Sequence, residues 1–238
     1  MGRAKPYDEE RWMNSMPSCY FLRFGDRQTW LEARRKFLCG SDTANVLGIG
    51  FRDNVSVWED KTKVNSGTKI QESAIELMEK GSEAEEHIRE MWCIDNDIRD
   101  VYDGTGTIIV NRDILDSNGN AFMACTLDSW GNNGKDDFIL EIKRSESPRQ
   151  WGQFPPIKYR AQCLKQMIVT GIRYAYLVAY ITFTSHEGKR SRYMREYLFD
   201  ANDDDVRNDM EGIISDEKMF WNEYVLKNKR PPKRIAEI

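Results

Sequence analysis

The sequence predicts a mixed α/β fold, one central sheet flanked by helices. Three observations lead there. Helix-like segments come first, a run of strand-like segments follows, and a helix, two strands and a last helical segment complete the order. The strand-like runs are short, apolar and rich in residues that suit a pleated surface. No linker, internal repeat or low-complexity stretch divides the chain, so residues 1–238 read as a single domain.

Within that domain, residues 1–27 read as an N-terminal extension and 228–238 as a basic C-terminal tail. QTWLEARRKFL (28–38) reads as a helix, and SDTANVLG (41–48) as a short helix capped by Ser41 and ended by Gly48. KIQESAIELMEK and SEAEEHIREMW are helical, and Glu85 follows Ser82 at the S-x-x-E spacing of a capping box. IRDVYD and GTIIVN are strand-like. AFMACTLD (121–128) and DFILEIK (137–143) read as a hairpin around the loop SWGNNGKD, whose glycines and asparagines signal a turn. IKYRAQCLKQMIVTG (157–171) is a helix ended by Gly171. RYAYLVAYITF and RYMREYLF are strands, and 202–228 is mostly helical. Trp30 and Trp58 read as packing residues.

Composition excludes several classes. Apolar residues are 40% and charged residues 31%, an ordinary water-soluble balance. No run of about 18 apolar residues predicts a membrane span, and the N-terminus shows no apolar signal region. The five cysteines are scattered and odd in number, against a disulfide framework or a zinc or iron–sulfur site. His87 and His186 form no ligand pair, and His87 is expected on a helix surface. A reducing, intracellular setting is expected. The net charge of −4 speaks against general nucleic-acid affinity unless the basic clusters EARRK, RSRYMR and KNKRPPKR act locally.

The predicted hairpin carries the chemistry. Strand side chains alternate, so Phe138, Leu140 and Ile142 share one face, and Asp137, Ile139, Glu141 and Lys143 the other. Asp128 joins Glu141 if the strands pair suitably. The plain alternative is a wet outer face with a charge pair. The chemical alternative is a metal site. Two converging carboxylates repel each other unless a cation neutralises them, and hard oxygen ligands favour Mg²⁺ or Mn²⁺. A lysine beside such a site orients or deprotonates a water, because nearby cations lower its pKa. Together these are the equipment for phosphodiester hydrolysis.

Four blocks between residues 30 and 171 carry a family resemblance. WLEARRKFLCGSDTANVLG resembles W-x₃-R-x₆-S, and EKGSEAEEHIREMW a G-x₃-E helix start. CTLDSW…LEIK resembles [ST]-x-D-G…E-x-K, and YRAQCLKQMIVTG resembles Y-x₂-Q-x₃-Q. In this order the chain resembles the lambda-exonuclease/YqaJ viral recombinase family of PD-(D/E)xK nucleases. It departs at Ser129, where glycine is usual, and at Thr126, where serine is common.

The resemblance implies a restriction-endonuclease-like core and a Mg²⁺-dependent 5′→3′ exonuclease on double-stranded DNA ends. It implies Asp128, Glu141, Glu85 and the Ile142 backbone carbonyl as ligands of two Mg²⁺ ions, with Mn²⁺ as substitute. Lys143 and Gln162 complete the catalytic set, and Arg34, Ser41 and Thr126 bind the 5′-phosphate. A ring-shaped homotrimer and a single-strand annealing protein are the implied partners, the annealing protein taking over the 3′ single strands. Each residue has a plainer reading. Glu85 and Ser41 could only cap helices, Arg34 could be a surface arginine, and Gln162 with Gln166 could be a solvated face. Rival functions are an endonuclease or junction resolvase of the same fold, and a non-catalytic DNA-end-binding protein.

Overall fold

The computed structural model describes residues 4–62, 72–184 and 188–234, with only the backbone described over 72–83. His186, residues 69–71 of the first long helical run and the Ser82 side chain lie outside the described residues.

The sheet is mixed, as predicted. Strands β2 (Asp100–Asp103), β5 (Ser129–Asn132), β6 (Asp137–Ser145), β7 (Tyr174–Thr184) and β8 (Arg190–Asp200) hydrogen-bond in the order β2-β5-β6-β7-β8. Only β6 and β7 are parallel. A parallel pair needs a long crossover, and helix α6 (Ile157–Thr170) supplies it. Gly171 ends α6 in the left-handed region at φ 73, its N–H donating to the Met167 carbonyl. Strands β1 (Cys19–Arg23), β3 (Thr107–Asn111) and β4 (Ala124–Cys125) make a second, antiparallel sheet.

The predicted hairpin is displaced. Ala124–Cys125 pairs with β3 in the small sheet, and the partner of β6 is Ser129–Asn132, which the sequence reading assigned to the loop. Burial overrides the turn signal here. Trp130 is fully buried against Tyr102, their rings stacked at 4.7 Å. Gly131 leaves room for strand β2, since a Cβ there would sit 2.4 Å from the Asp100 carbonyl oxygen. The turn shrinks to 133–136, where the Asn133 side chain accepts the N–H groups of Lys135 and Asp136.

Neither face of β6 is wet from Phe138 to Ile142. Ile139 packs with Leu177, Leu164 and Met167 in the main core. Phe138, Leu140 and Ile142 pack beneath Ile88, Trp92 and Cys93 of helix α5 (Glu72–Asp95). Parallel strands are normally covered on both sides, and β6 follows that rule, so the solvated-face reading of Glu141 is overturned.

Three helix boundaries differ from expectation. α2 covers Arg27–Arg34 only. The short helix α3 (Gly40–Val46) starts one residue early, with Cys39 at its N-cap; the Asp42 carboxylate takes the Cys39 N–H at 3.0 Å. Asp42 is fixed in that role by Lys61, 2.7 Å away in helix α4 (Asn54–Thr62) and also buried. Ser41 therefore does not cap. The two predicted helical runs around Gly81 are one continuous α5, so Ser82 and Glu85 lie mid-helix and the capping-box reading of Glu85 fails. One helical glycine costs only about 1 kcal/mol and is no stop by itself.

The described stretches read as an extension and a tail are structural. Helix α1 (Glu9–Ser15) and β1 fill the stretch read as an extension. Helix α7 (Asp204–Phe220) packs on α3 and α6. There the buried Glu217 accepts from Lys165 and, at 2.6 Å, from Thr43. The basic tail is tied down as far as it is described: Lys233 meets Asp53 at 3.1 Å, and Arg234 N–H donates to the Asn54 side chain at 2.8 Å. All five cysteines are free and buried. Among the described residues no helix is long and apolar enough to cross a membrane.

Trp12 of α1 is fully buried, its ring edge-on to Trp130 at 5.7 Å. Trp12→Ala is expected to lower unfolding free energy by about 3–5 kcal/mol in urea titrations, the usual cost of emptying a buried aromatic site. A change below about 1 kcal/mol would make α1 an appendage.

Candidate active site

The site forms where the chain passes from the small sheet to the large one. Asp128 sits between β4 and β5, one step beyond the Ser129–Leu140 pair, and so opposes Glu141. Its Oδ2 accepts the Ile142 N–H at 2.8 Å, which pins the carboxylate to β6. The Asp128 carbonyl accepts from Gly104 N–H at 3.3 Å and from Ser129 Oγ at 2.7 Å.

Glu141 is completely buried. Oε1 accepts from the Lys143 ammonium and from Gln162 Nε2, the latter at 2.6 Å; Oε2 accepts from Gln166 Nε2. Gln162 and Gln166 stand four apart on α6 and so point the same way. The helix lies over this sheet face because Leu164, Met167 and Ile168 bury there. Gln166 Nε2 also reaches the Thr126 carbonyl at 3.2 Å, while its own Oε1 is buried without a partner. The solvated reading of the two glutamines is thereby excluded.

Glu85 comes from α5 on the opposite side. It shares a cleft with Asp128, lined further by Arg89, Asp103 and Thr105. Burial and the nearby Glu141 raise the Glu85 pKa, against the pull of Lys143 and Arg89. Burial, then Glu141 and Glu85, hold Asp128 well above the usual carboxylate range. Burial opposes the Lys143 ammonium, but Glu141 and Asp128 outweigh it and hold its pKa above the ordinary lysine value. The lowered lysine pKa expected from sequence needs a bound cation; the acids alone act the other way.

The donor set fits a hard divalent cation. It consists of carboxylate oxygens, and they are held close enough to penalise one another's ionisation. Among the described residues no three acidic, histidine or cysteine side chains already enclose a single point. The Glu141 carboxylate is turned to Lys143 and both glutamines instead.

Arg34 and Ser41 also meet. Arg34 Nη2 donates to Ser41 Oγ at 2.8 Å, and the guanidinium lies 4.7 Å over the Trp30 ring. Among the described residues Arg34 Nε is buried without a hydrogen-bond acceptor, and the Cys39 thiol lies beside the guanidinium. A Cβ on neighbouring Gly40 would lie 3.6 Å from Gln162 Cγ, so the first turn of α3 abuts the helix that holds Glu141. Thr126 adjoins through its carbonyl; its hydroxyl makes no hydrogen bond among the described residues.

Sequence reasoning assigned no role to Arg89, Ser129 and Gln166. Arg89 donates to Ser129 Oγ at 3.1 Å, and Ser129 Oγ passes the bond on to Asp128. The serine that replaces a usual glycine thus links α5 to the main-chain carbonyl of Asp128. The one available signal was the Gln162–Gln166 spacing.

A family model described as YqaJ-like viral recombinase domain matches residues 29–173. The fold is similar to an alkaline exonuclease (LHK-Exo) from Laribacter hongkongensis, at 18% identity and TM-score 0.53, over 85% of this chain and 97% of that one. A phage related exonuclease from Haemophilus somnus 129PT is also similar, at 11% identity and TM-score 0.49, over 81% and 96%. At 18% identity the likeness to LHK-Exo is one of fold. No curated protein matches the chain.

Asp128 and Glu141 should differ in their effect on the metal-free fold. Asp128→Asn removes a crowded charge and keeps an acceptor for the Ile142 N–H, so its melting temperature in EDTA should equal or exceed wild type. Glu141→Ala strands the Lys143 ammonium and two buried amides and should cost about 3–5 kcal/mol. Equal losses in the two variants would refute this account of the electrostatics.

Proposed function

The chain belongs to the YqaJ-like viral recombinase domain family, and from that premise we propose that it is a Mg²⁺-dependent 5′→3′ exonuclease acting on ends of double-stranded DNA. The observation that carries the reading is the cluster of Asp128 and Glu141 beside Lys143, faced by Glu85 across one cleft. The family supports a nuclease role in recombination, and the cluster adds the chemistry.

In this reading Asp128, Glu141, the Ile142 carbonyl and Glu85 would hold two Mg²⁺ ions, Mn²⁺ being a substitute. Such ions, when bound, supply Lewis acidity at the scissile phosphate and make a coordinated water more acidic. The protein's own groups do the rest. Gln162 and Gln166 fix the Glu141 carboxylate by donating to both its oxygens. Lys143 orients the attacking water, whose oxygen bonds to phosphorus as the bond to the 3′-oxygen breaks. Arg34 and Ser41, with Thr126 nearby, grip the terminal 5′-phosphate. The unpartnered Arg34 Nε supports that role, because a buried donor without an acceptor is costly unless a ligand completes it. A homotrimeric ring and an annealing protein that takes over the 3′ single strands belong to the same reading. A ring would reconcile the acidic chain with DNA, since only its channel need be basic.

Linear duplexes labelled at either end test the reaction. Wild type should release label from 5′ ends with Mg²⁺ and none in EDTA, and Asp128→Ala should release none under either condition. Lys143→Ala should turn over about 10²–10⁴-fold more slowly, the usual effect of losing a proton-transfer or water-orienting group, with duplex affinity unchanged. Substantial activity in Asp128→Ala would end the assignment.

Polarity rests on Arg34 and Ser41. A terminal phosphate is a dianion, whereas an internal one carries a single charge, so a guanidinium fork and a hydroxyl distinguish them. Duplex with a 5′-phosphate should be degraded faster than the same duplex with a 5′-hydroxyl, and Arg34→Ala should narrow the difference. Digestion from 3′ ends would refute the polarity and leave the nuclease reading standing.

A further inference from the structure

The sheet face covered by α5 continues past its cover. The last pair between β6 and β7 is Ser145–Ile181, yet β7 and β8 go on pairing to Thr184–Arg190. Side chains alternate, so Arg144, Tyr180, Arg192 and Arg190 stand on the same face as the buried Ile142 and Val178. Where this overhang meets α5 there is a groove of about 440 Å³. His87, Met91 and Ile94 of the helix form one wall, and Arg144, Tyr180 and Arg192 the other.

Its charges lie close together. Arg144, Arg190 and Arg192 are exposed, and among the described residues none makes an ion pair or a hydrogen bond. Elsewhere Arg11, Arg160 and Arg173 each meet a carboxylate. In a protein of net charge −4, three guanidiniums on one face, without partners among the described residues, concentrate positive potential. Glu90 is the acid on the helix wall, and Glu196, on the same sheet face, accepts from Trp92 Nε1. The apolar part is also exposed: Ile94 by 61% and Met91 by 37%.

We propose that this groove holds single-stranded DNA, with phosphates on Arg144, Arg190 and Arg192 and a base against Tyr180. The inference rests on the nuclease reading for its ligand class. Arginines spaced along a strand suit a phosphate backbone, and an aromatic ring with apolar neighbours suits the face of a base. Paired bases keep their faces in the duplex stack, so only an unpaired strand can use Tyr180 and Met91. Arg144 directly follows Lys143 on β6, and their side chains point to opposite faces. The groove therefore lies behind the hydrolytic site, where a strand that escapes cleavage can be led away.

The test uses the full chain in EDTA, with a fluorescein-labelled oligothymidylate of about 20 nucleotides as probe and anisotropy across a salt series. The Arg144→Ala/Arg190→Ala/Arg192→Ala variant should bind at least about tenfold more weakly. Its slope of log affinity against log salt should shrink by about 2, three phosphate contacts at ~0.7 each. Tyr180→Ala should weaken binding about tenfold with the salt slope unchanged, as expected for a lost stacking partner. If the triple variant melts below wild type, the single exposed Arg192→Glu replaces it with the same expectations of sign. Unchanged affinity and slope overturn the proposal. So does a larger loss on a blunt duplex than on the single strand, or equal displacement of the probe by polyglutamate, which would mark a protein-binding surface. Digestion of 5′-labelled duplex by wild type with Mg²⁺ is run alongside. Groove-dependent binding without any digestion would sink the nuclease reading and leave the groove assigned.

Discussion

A carboxylate without water must be answered by donors, and Glu141 is the carboxylate around which this protein is arranged. It receives an ammonium and two amides, and those donors come from its own strand and from α6. The requirement fixes how α6 sits: the helix must bury Leu164 and Met167 while presenting Gln162 and Gln166 to one point. It also fixes Asp128, which reaches the same strand through the Ile142 N–H. The β6–β7 parallel pair, the crossover helix and the turn between the two sheets all serve that one buried charge.

The surrounding acids make the arrangement costly while no cation is bound. Asp128 and Glu85 are both pushed towards their neutral forms, chiefly by burial and then by neighbouring acids. A fold that tolerates this has stored unfavourable electrostatics in one place, which is the usual signature of a functional site. Lys143 offsets only part of it. In the proposed function, positive charge from outside the chain meets this cluster at the edge of a cleft that Arg89 and Asp103 help to shape.

The class of fold and the neighbourhood of Asp128, Glu141 and Lys143 were legible because they follow from local pattern: short apolar strands, a turn, and acids at fixed spacing. What escaped was set by distant packing. SWGN looks like a turn until Trp130 finds Trp12 and Tyr102. Ser41 looks like a cap until Lys61, twenty positions on, fixes Asp42 in a different box. Residues 9–23 look like an extension because their strand partner is some ninety residues away in β3. Gln166 and Ser129 have chemistry that any surface could use, and only the fold shows what they touch.

Glu217 has a wider meaning than one buried ion pair. It belongs to α7, and it is bound to Lys165 on α6 and to Thr43 on α3. Those two helices carry Gln162 and Ser41. An outer helix is normally free to fray by itself, but peeling this one away would break the buried Lys165–Glu217 pair and the Thr43 hydrogen bond together. Departure of α7 and collapse of both halves of the site are then a single cooperative event. Heat should silence the protein all at once, with no folded but idle species for a protease or chaperone to find.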